Sequence, residues 1–134
     1  MKYLRHLVSN YPVSCFYIAF IWVLCFADVP QTPLSDVTLI DKWVHTAMYA
    51  GTCSTIWWEY VHRHDAIDWK RLWLLAWLAP IIMSGIIELL QAYCTGGRRS
   101  GEWLDFAANG IGATLGGVIG ILLAKCRAIG KRGN

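Results

Sequence analysis

Three side chains that can exchange protons follow one another along a predicted helix in the first half of the chain. Asp41, His45 and Tyr49 are each four residues apart. Because a helix turns about 100° and rises about 1.5 Å per residue, the three share one face, each roughly 6 Å beyond the last. A carboxylate, an imidazole and a phenol on one face could take part in acid–base chemistry or bind a polar ligand.

Two further predicted helices carry polar side chains at comparable positions. Glu88 and Gln91 lie about 60° apart on one helix face, and Asp105 and Asn109 are one turn apart on the next helix. With the orientation given below, these residues lie within about two turns of the same membrane surface as His45. Agreement in depth across three helices predicts a shared polar pocket.

Glu88 and Asp105 need partners, because an ionised carboxylate in hydrocarbon costs several kcal/mol unless it is paired or hydrated. Two interpretations stay open. In the first, a buried salt-bridge network locks the three helices together. In the second, the pocket opens outward and paired arginines bind a phosphate or carboxylate headgroup. The available cations, besides His45, are Lys42, Arg98 and Arg99.

The same residues allow an enzymatic alternative. His45 would act as general base, oriented by Asp41 or Glu88, with Asp105 in the same catalytic group and the arginines stabilising phosphoryl charge. In the binding interpretation, the ligand is contacted or oriented by Asp41, Lys42, Tyr49, Gln91, Arg98, Arg99 and Asn109. A metal site formed by His45, Glu88 and Asp105 is less favoured, because it would contain only one imidazole ligand. We therefore expect neither a metal nor a cofactor.

Four apolar stretches must position these side chains. They cover residues 11–27, 40–61, 72–93 and 103–125, and each has about the 17–25 residues that a helix needs to cross a bilayer. The chain has 134 residues, of which 56% are hydrophobic, so there is room for one membrane domain only. The predicted fold is a single all-α domain, a polytopic integral membrane protein with four transmembrane helices in a small bundle.

The basic residues predict the orientation of this bundle. Nine of the twelve fall at the two ends of the chain and in the connector between the second and third spans: Lys2, Arg5, Arg63, Lys70, Arg71, Lys125, Arg127, Lys131 and Arg132. These segments, including both termini, should be cytoplasmic, which places the polar residues at the extracytoplasmic surface. A cleaved signal is the alternative for the first span, but its apolar run is long and its cleavage pattern poor.

The net charge of +3 does not indicate nucleic-acid binding. Basic residues at span ends are explained by anchoring at anionic lipid headgroups. The aromatic residues near span ends match the belts found at membrane interfaces. They are Trp43, Trp57, Trp58, Trp69, Trp73, Tyr93 and Trp103.

The last predicted helix carries small residues in a stripe. Gly112, Gly116 and Gly120 recur every four residues, a pattern that lets helix backbones approach closely in lipid. Packing inside the bundle is the favoured interpretation, and an oligomer formed through the stripe is the alternative. Pro80 in the third span should disturb its helix, because proline removes a backbone hydrogen bond.

The polar residues, taken in order, resemble the VanZ-like membrane-protein family. The matching fragments are Asp41-Lys42-x-x-His45-x-x-x-Tyr49, Glu88-x-x-Gln91, Arg98 or Arg99, and Asp105-x-x-x-Asn109-x-x-Gly112-x-x-x-Gly116. The resemblance runs from about Asp41 to Gly120. Two positions depart from the family pattern: Thr46 replaces the phenylalanine common after the motif histidine, and the acidic residue before the motif aspartate is Glu102.

This resemblance implies a small bacterial inner-membrane protein with a link to glycopeptide resistance, since the family's namesake is associated with low-level teicoplanin resistance. The expected function is binding or handling an anionic lipid or a lipid-linked cell-envelope precursor. One alternative is a hydrolase or transferase that acts on a lipid phosphate or glycolipid. The other is a structural protein whose polar cluster only locks the helices.

Overall fold

The computed structural model describes residues 2–27, 39–97 and 101–132, and the regular structure within these ranges is helical throughout. The elements are α1 (Lys2–Asn10), α2 (Pro12–Phe26), α3 (Ile40–Arg63), α4 (Trp69–Trp73), a π-helix (Leu74–Leu78), α5 (Ala79–Cys94) and α6 (Trp103–Arg132). The segments α4, π-helix and α5 join without interruption. The prediction of an all-α fold is confirmed, and helices occupy the four ranges predicted as spans.

Two of these helices are long and apolar enough to cross a membrane, Trp69–Cys94 and Trp103–Gly130. Only 33% and 39% of their most apolar windows are buried, so most of these apolar side chains face outward. The apolar helix α2 has 15 residues, and α3 has 24 residues but carries Asp41, Lys42 and Glu59. The first two predicted spans therefore stay predictions.

The helix α3 packs along α6 at close range because of the glycine stripe. A Cβ atom added at Gly112 would overlap the backbone carbonyl of Thr46. One at Gly116 would lie 2.7 Å from the carbonyl oxygen of Ala50, and one at Gly120 would overlap the Trp57 side chain. The stripe thus serves packing within the chain, and an oligomer formed through it would have to displace α3.

Trp57 corrects one detail of the predicted aromatic belts. Its side chain is completely buried beside Gly120 and packs edge-on against Trp73, with ring centroids 5.6 Å apart. The position near a helix end suggested an interface anchor, but the missing side chain at Gly120 makes room for the indole inside the protein. Five of the other predicted belt residues are exposed: Trp43, Trp58, Trp69, Tyr93 and Trp103.

The disturbance expected at Pro80 takes the form of the π-helix directly before it. The Ala79 N–H donates to the carbonyl oxygen of Leu74, five residues earlier. Pro80 has no N–H, and its ring crowds the carbonyl four residues back, so a wider turn ahead of it relieves that contact.

Glu59 joins the other end of α3 to α2. Its carboxylate accepts hydrogen bonds from the backbone N–H groups of Val13 and Ser14 at 3.0 and 2.9 Å and from Ser14 Oγ at 2.5 Å. The first-turn N–H groups of a helix have no partner within it, and its N-terminus favours negative charge. A buried acid on α3 therefore caps α2, a role that the sequence analysis did not foresee.

The close contact between α3 and α6 gives a stability prediction. We expect Gly112→Ala to lower the free energy of unfolding by about 1–3 kcal/mol, because the added methyl group must push α3 away. Gly110→Ala is the matched control, since no heavy atom lies within 4 Å of a Cβ added there. That variant should be neutral or up to about 1 kcal/mol more stable. Denaturant unfolding in detergent micelles measures both, and equal stability of the two variants would contradict the packing.

Candidate functional site

Lys42 is the charged centre of a polar cluster at the start of α3. Its Nζ atom lies 2.7 Å from Glu102 Oε2 and 3.3 Å from Asp41 Oδ2, and it also forms an ion pair with Asp105 Oδ1. The side chain of Asp41 is 62% exposed and that of Asp105 is 9% exposed. The cluster therefore reaches from an open mouth at Asp41 to a buried carboxylate on α6.

His45 is held one turn deeper by a chain of hydrogen bonds. Its Nδ1 atom lies 3.0 Å from Asn109 Oδ1, and Asn109 Nδ2 donates to Ser84 Oγ at 2.7 Å. Because the amide oxygen of Asn109 can only accept, His45 Nδ1 carries the proton in this arrangement. The lone pair of a neutral imidazole then lies on Nε2. This nitrogen is 3.8 Å from Asp41 Oδ1 and 3.9 Å from Asp105 Oδ2.

Glu88 borders both the cluster and a cavity between α5 and α6. Its Oε2 atom accepts a hydrogen bond of 3.1 Å from the backbone N–H of Glu102. Its Oε1 atom is buried and has no hydrogen-bond partner among the residues that the structure describes. The cavity has a volume of about 380 Å³ and apolar walls. Its lining includes Glu88, Leu89, Tyr93, Gly101, Trp103 and Phe106.

Two residues predicted for the site, Gln91 and Tyr49, do not contact the charged cluster around Lys42. Gln91 donates from Nε2 to the backbone carbonyl of Cys25 at 2.8 Å, so it ties α5 to the end of α2 and does not join the cluster. Tyr49 is fully buried, and its hydroxyl approaches Ser84 without reaching hydrogen-bond geometry. Arg98 and Arg99 lie outside the described residues.

The structure brings together Asp41, His45, Asp105 and Asn109, whose shared helix faces the sequence indicated, and Lys42, which the sequence offered as an available cation. It adds Glu102 and Ser84, which were absent from the predicted site. A signal for both was present, because Glu102 is three residues before Asp105 and Ser84 four residues before Glu88. These spacings place each on the same helix face as a predicted site residue.

The charges of the cluster determine which kind of ligand it favours. Three carboxylates surround one ammonium group, so the cluster in the described part of the chain favours cations. Ligand atoms of Asp41, His45 and Asp105 lie within 4.8 Å of one another, close enough to share a metal ion. This set differs from His45, Glu88 and Asp105, because Glu88 is turned toward the Glu102 backbone.

No protein-family model, curated protein or solved structure matches this chain. The fold and the charged cluster therefore provide the description of what kind of protein this is. In the described residues it is an all-helical protein with two helices long and apolar enough to cross a membrane and a charged cluster between the starts of α3 and α6. The VanZ-like resemblance stays a proposal.

The hydrogen bond between His45 and Asn109 predicts a tautomer. We expect His45 to be protonated at Nδ1 in its neutral form, and Asn109→Ala to allow the Nε2-protonated form because the acceptor is removed. Imidazole ¹⁵N chemical shifts measure the two tautomers. Asn10→Ala is the control, since the Asn10 side chain forms its hydrogen bond with the ring of His6, 2.9 Å away on α1. A wild-type His45 that is neutral and protonated at Nε2 would contradict the assignment.

Proposed function

We propose that this chain is a bacterial inner-membrane protein of the VanZ-like family that crosses the bilayer four times with both termini in the cytoplasm. The two long apolar helices and the outward-facing apolar side chains of α2, such as Phe16 and Val23, support membrane insertion. The distribution of basic residues supports the orientation. Family membership depends on the order of the polar motifs from Asp41 to Gly116, and the proposal extends to the glycopeptide link that the family implies.

The proposed activity is binding of an anionic lipid or a lipid-linked envelope precursor at the outer end of the bundle. The observation that carries it is the buried, unpartnered Oε1 atom of Glu88, whose side chain lines a largely apolar cavity together with Glu102. A buried carboxylate oxygen without a partner is costly, so a ligand that donates a hydrogen bond to it is favoured. A headgroup hydroxyl or ammonium is such a donor.

The shape and surroundings of the cavity favour a lipid over a soluble ligand. Leu89, Trp103 and Tyr93 on its walls are highly exposed. In the proposed orientation they would lie where acyl chains and headgroups meet. Glu88 and Glu102 would repel an anion on their own. The proposal therefore assigns the phosphate to Arg98 and Arg99, which precede the wall residue Gly101 by three and two positions.

Lipid binding can be tested with the full chain in detergent, using phosphatidylglycerol and undecaprenyl phosphate as ligands and phosphatidylcholine as reference. We expect selective, saturable binding of the anionic lipids by native mass spectrometry. Because bonds to charged groups contribute about 1.5–3 kcal/mol, Arg98→Gln and Arg99→Gln should each weaken binding roughly tenfold or more. Glu88→Gln should weaken the binding of phosphatidylglycerol more than the binding of undecaprenyl phosphate, because undecaprenyl phosphate lacks headgroup hydroxyls.

Arg63→Gln is the matched control, because this exposed arginine ends α3 on the opposite side of the bundle. Its lipid affinity should equal that of the wild type. Equal affinity for all three lipids would reject the proposal. The proposal would also be rejected if Glu88→Gln and Arg98→Gln changed only the stability of the protein and not its lipid affinity. A purely structural cluster predicts that result.

An enzymatic function is the second candidate, and one observation favours it. Asn109 holds His45 through Nδ1, so Nε2 is left to take a proton from water or a lipid hydroxyl. If the protein is a hydrolase or transferase, His45→Gln should lower turnover of labelled phospholipid or undecaprenyl-linked substrate about 10²–10⁴-fold and leave lipid binding intact. Saturable binding without turnover by the wild type would reject the enzyme.

A further inference from the structure

A second site lies beside the lipid cavity, between the starts of α3 and α6. We propose that it binds one divalent transition-metal ion, with His45 Nε2, Asp41 Oδ1 and Asp105 Oδ2 as ligands. The inference does not depend on lipid binding, because the three ligands do not line the cavity.

The spacing of the three ligand atoms fits a shared ion better than direct bonds among them. His45 Nε2 lies 3.8 Å from Asp41 Oδ1 and 3.9 Å from Asp105 Oδ2, beyond the range of a hydrogen bond. Around a tetrahedral zinc ion with bonds of about 2.0–2.1 Å, neighbouring ligand atoms are about 3.3 Å apart. Small side-chain rotations would shorten the two distances to His45 by about half an ångström, and the two carboxylate oxygens, which lie within 4.8 Å of each other, would have to approach by up to about 1.5 Å. Asp41 and His45 also have the i, i+4 spacing with which one helix face reaches a single metal.

Lys42 does not block the ion, because each aspartate pairs with Lys42 through one oxygen atom and directs the other oxygen atom toward His45. Asp41 directs Oδ2 to the Lys42 ammonium and Oδ1 to His45, and Asp105 directs Oδ1 to Lys42 and Oδ2 to His45. The side chain of Asp105 is 9% exposed, and its Oδ2 makes no hydrogen bond within the described part of the chain. This oxygen therefore has lone pairs available for a metal ion.

His45 is already prepared as a metal ligand. A histidine ligand usually donates its second ring N–H to a neighbouring acceptor, which fixes the ring and its tautomer. Asn109 Oδ1 is that acceptor here, and Ser84 in turn receives the amide N–H of Asn109. Nε2 then faces the two carboxylate oxygens with its lone pair.

The charge of the cluster matches a divalent ion. Among the residues that the structure describes, the carboxylates of Asp41, Glu102 and Asp105 and the ammonium group of Lys42 leave two negative charges. A neutral imidazole adds none, so one divalent cation brings the cluster to neutrality. Unbalanced charge is costly at a partly buried site, which favours this occupant over a monovalent ion.

The ligand types select the class of ion. One imidazole nitrogen with two carboxylate oxygens suits zinc or a neighbouring transition metal, whereas magnesium and calcium prefer oxygen alone. Because Asp41 is 62% exposed, the site opens outward and can keep a water molecule as fourth ligand.

Zinc and cobalt are the probes for the test, with full-length protein in detergent that has been treated with chelator. Exposed thiols of Cys94 and Cys126 are first alkylated, because they could bind metal themselves. We expect one zinc ion per chain, measured by competition with a chromophoric chelator. Cobalt should give a d–d spectrum without a thiolate charge-transfer band.

Variants of the ligands then decide the assignment. His45→Gln and Asp41→Asn should each weaken zinc binding at least about tenfold, and Asn109→Ala about 10–100-fold, the usual effect of removing a partner of a ligand histidine. Asp41 is exposed, so its variant should retain the fold. His62→Gln is the control, because His62 is an exposed histidine at the other end of α3, and its zinc affinity should be that of the wild type.

The proposal is overturned if the wild type binds no stoichiometric zinc, or if His45→Gln and Asp41→Asn bind it as tightly as the wild type. Zinc affinity is measured without added lipid, so failure here is distinct from failure of lipid binding. Zinc bound at Nε2 would also reject His45 as a general base, because the metal occupies the lone pair that would accept the proton.

Discussion

The close approach of α3 and α6 is the contact on which the remaining structure depends. It is possible only because Gly112, Gly116 and Gly120 present no side chains where the α3 backbone and Trp57 lie. At the end where both helices begin, the approach brings Asp105 and Asn109 of α6 against Lys42 and His45 of α3. The polar cluster is therefore a product of backbone packing.

Charged side chains at the two ends of α3 differ in how completely their neighbours are hydrogen-bonded. At one end of α3, Glu59 is fully satisfied by the N–H groups and hydroxyl at the start of α2, and its role is structural. At the other end, Lys42 is satisfied by three acids, but Glu88 Oε1, Asp105 Oδ2 and His45 Nε2 have no hydrogen bonds within the described ranges. Unpartnered polar atoms also occur in the hydrophobic core, where the Tyr49 hydroxyl and Trp57 Nε1 are buried without a hydrogen-bond partner in the described ranges.

Glu102 connects the two proposed sites. Its backbone N–H donates to Glu88 at the edge of the cavity, and its carboxylate lies 2.7 Å from the Lys42 ammonium inside the cluster. An occupant of the cavity that drew Glu88 away would thus disturb one of the three acids that pair with Lys42. Lipid and metal binding, if both occur, share this one residue and would be coupled through it.

The sequence by itself determined where the long helices lie and which polar residues share a helix face, whereas α1 was not among its predictions. Apolar runs set the helix positions, and the repeat of 3.6 residues put Asp41 with His45 and Asp105 with Asn109. It could not determine how the helices are rotated against one another. Gln91 contacts Cys25 outside the cluster, Trp57 is buried beside Gly120, and Glu59 reaches α2. Periodicity fixes faces within one helix, whereas the partner of each face is decided by packing between residues far apart in the chain, and only the tertiary structure contains that information.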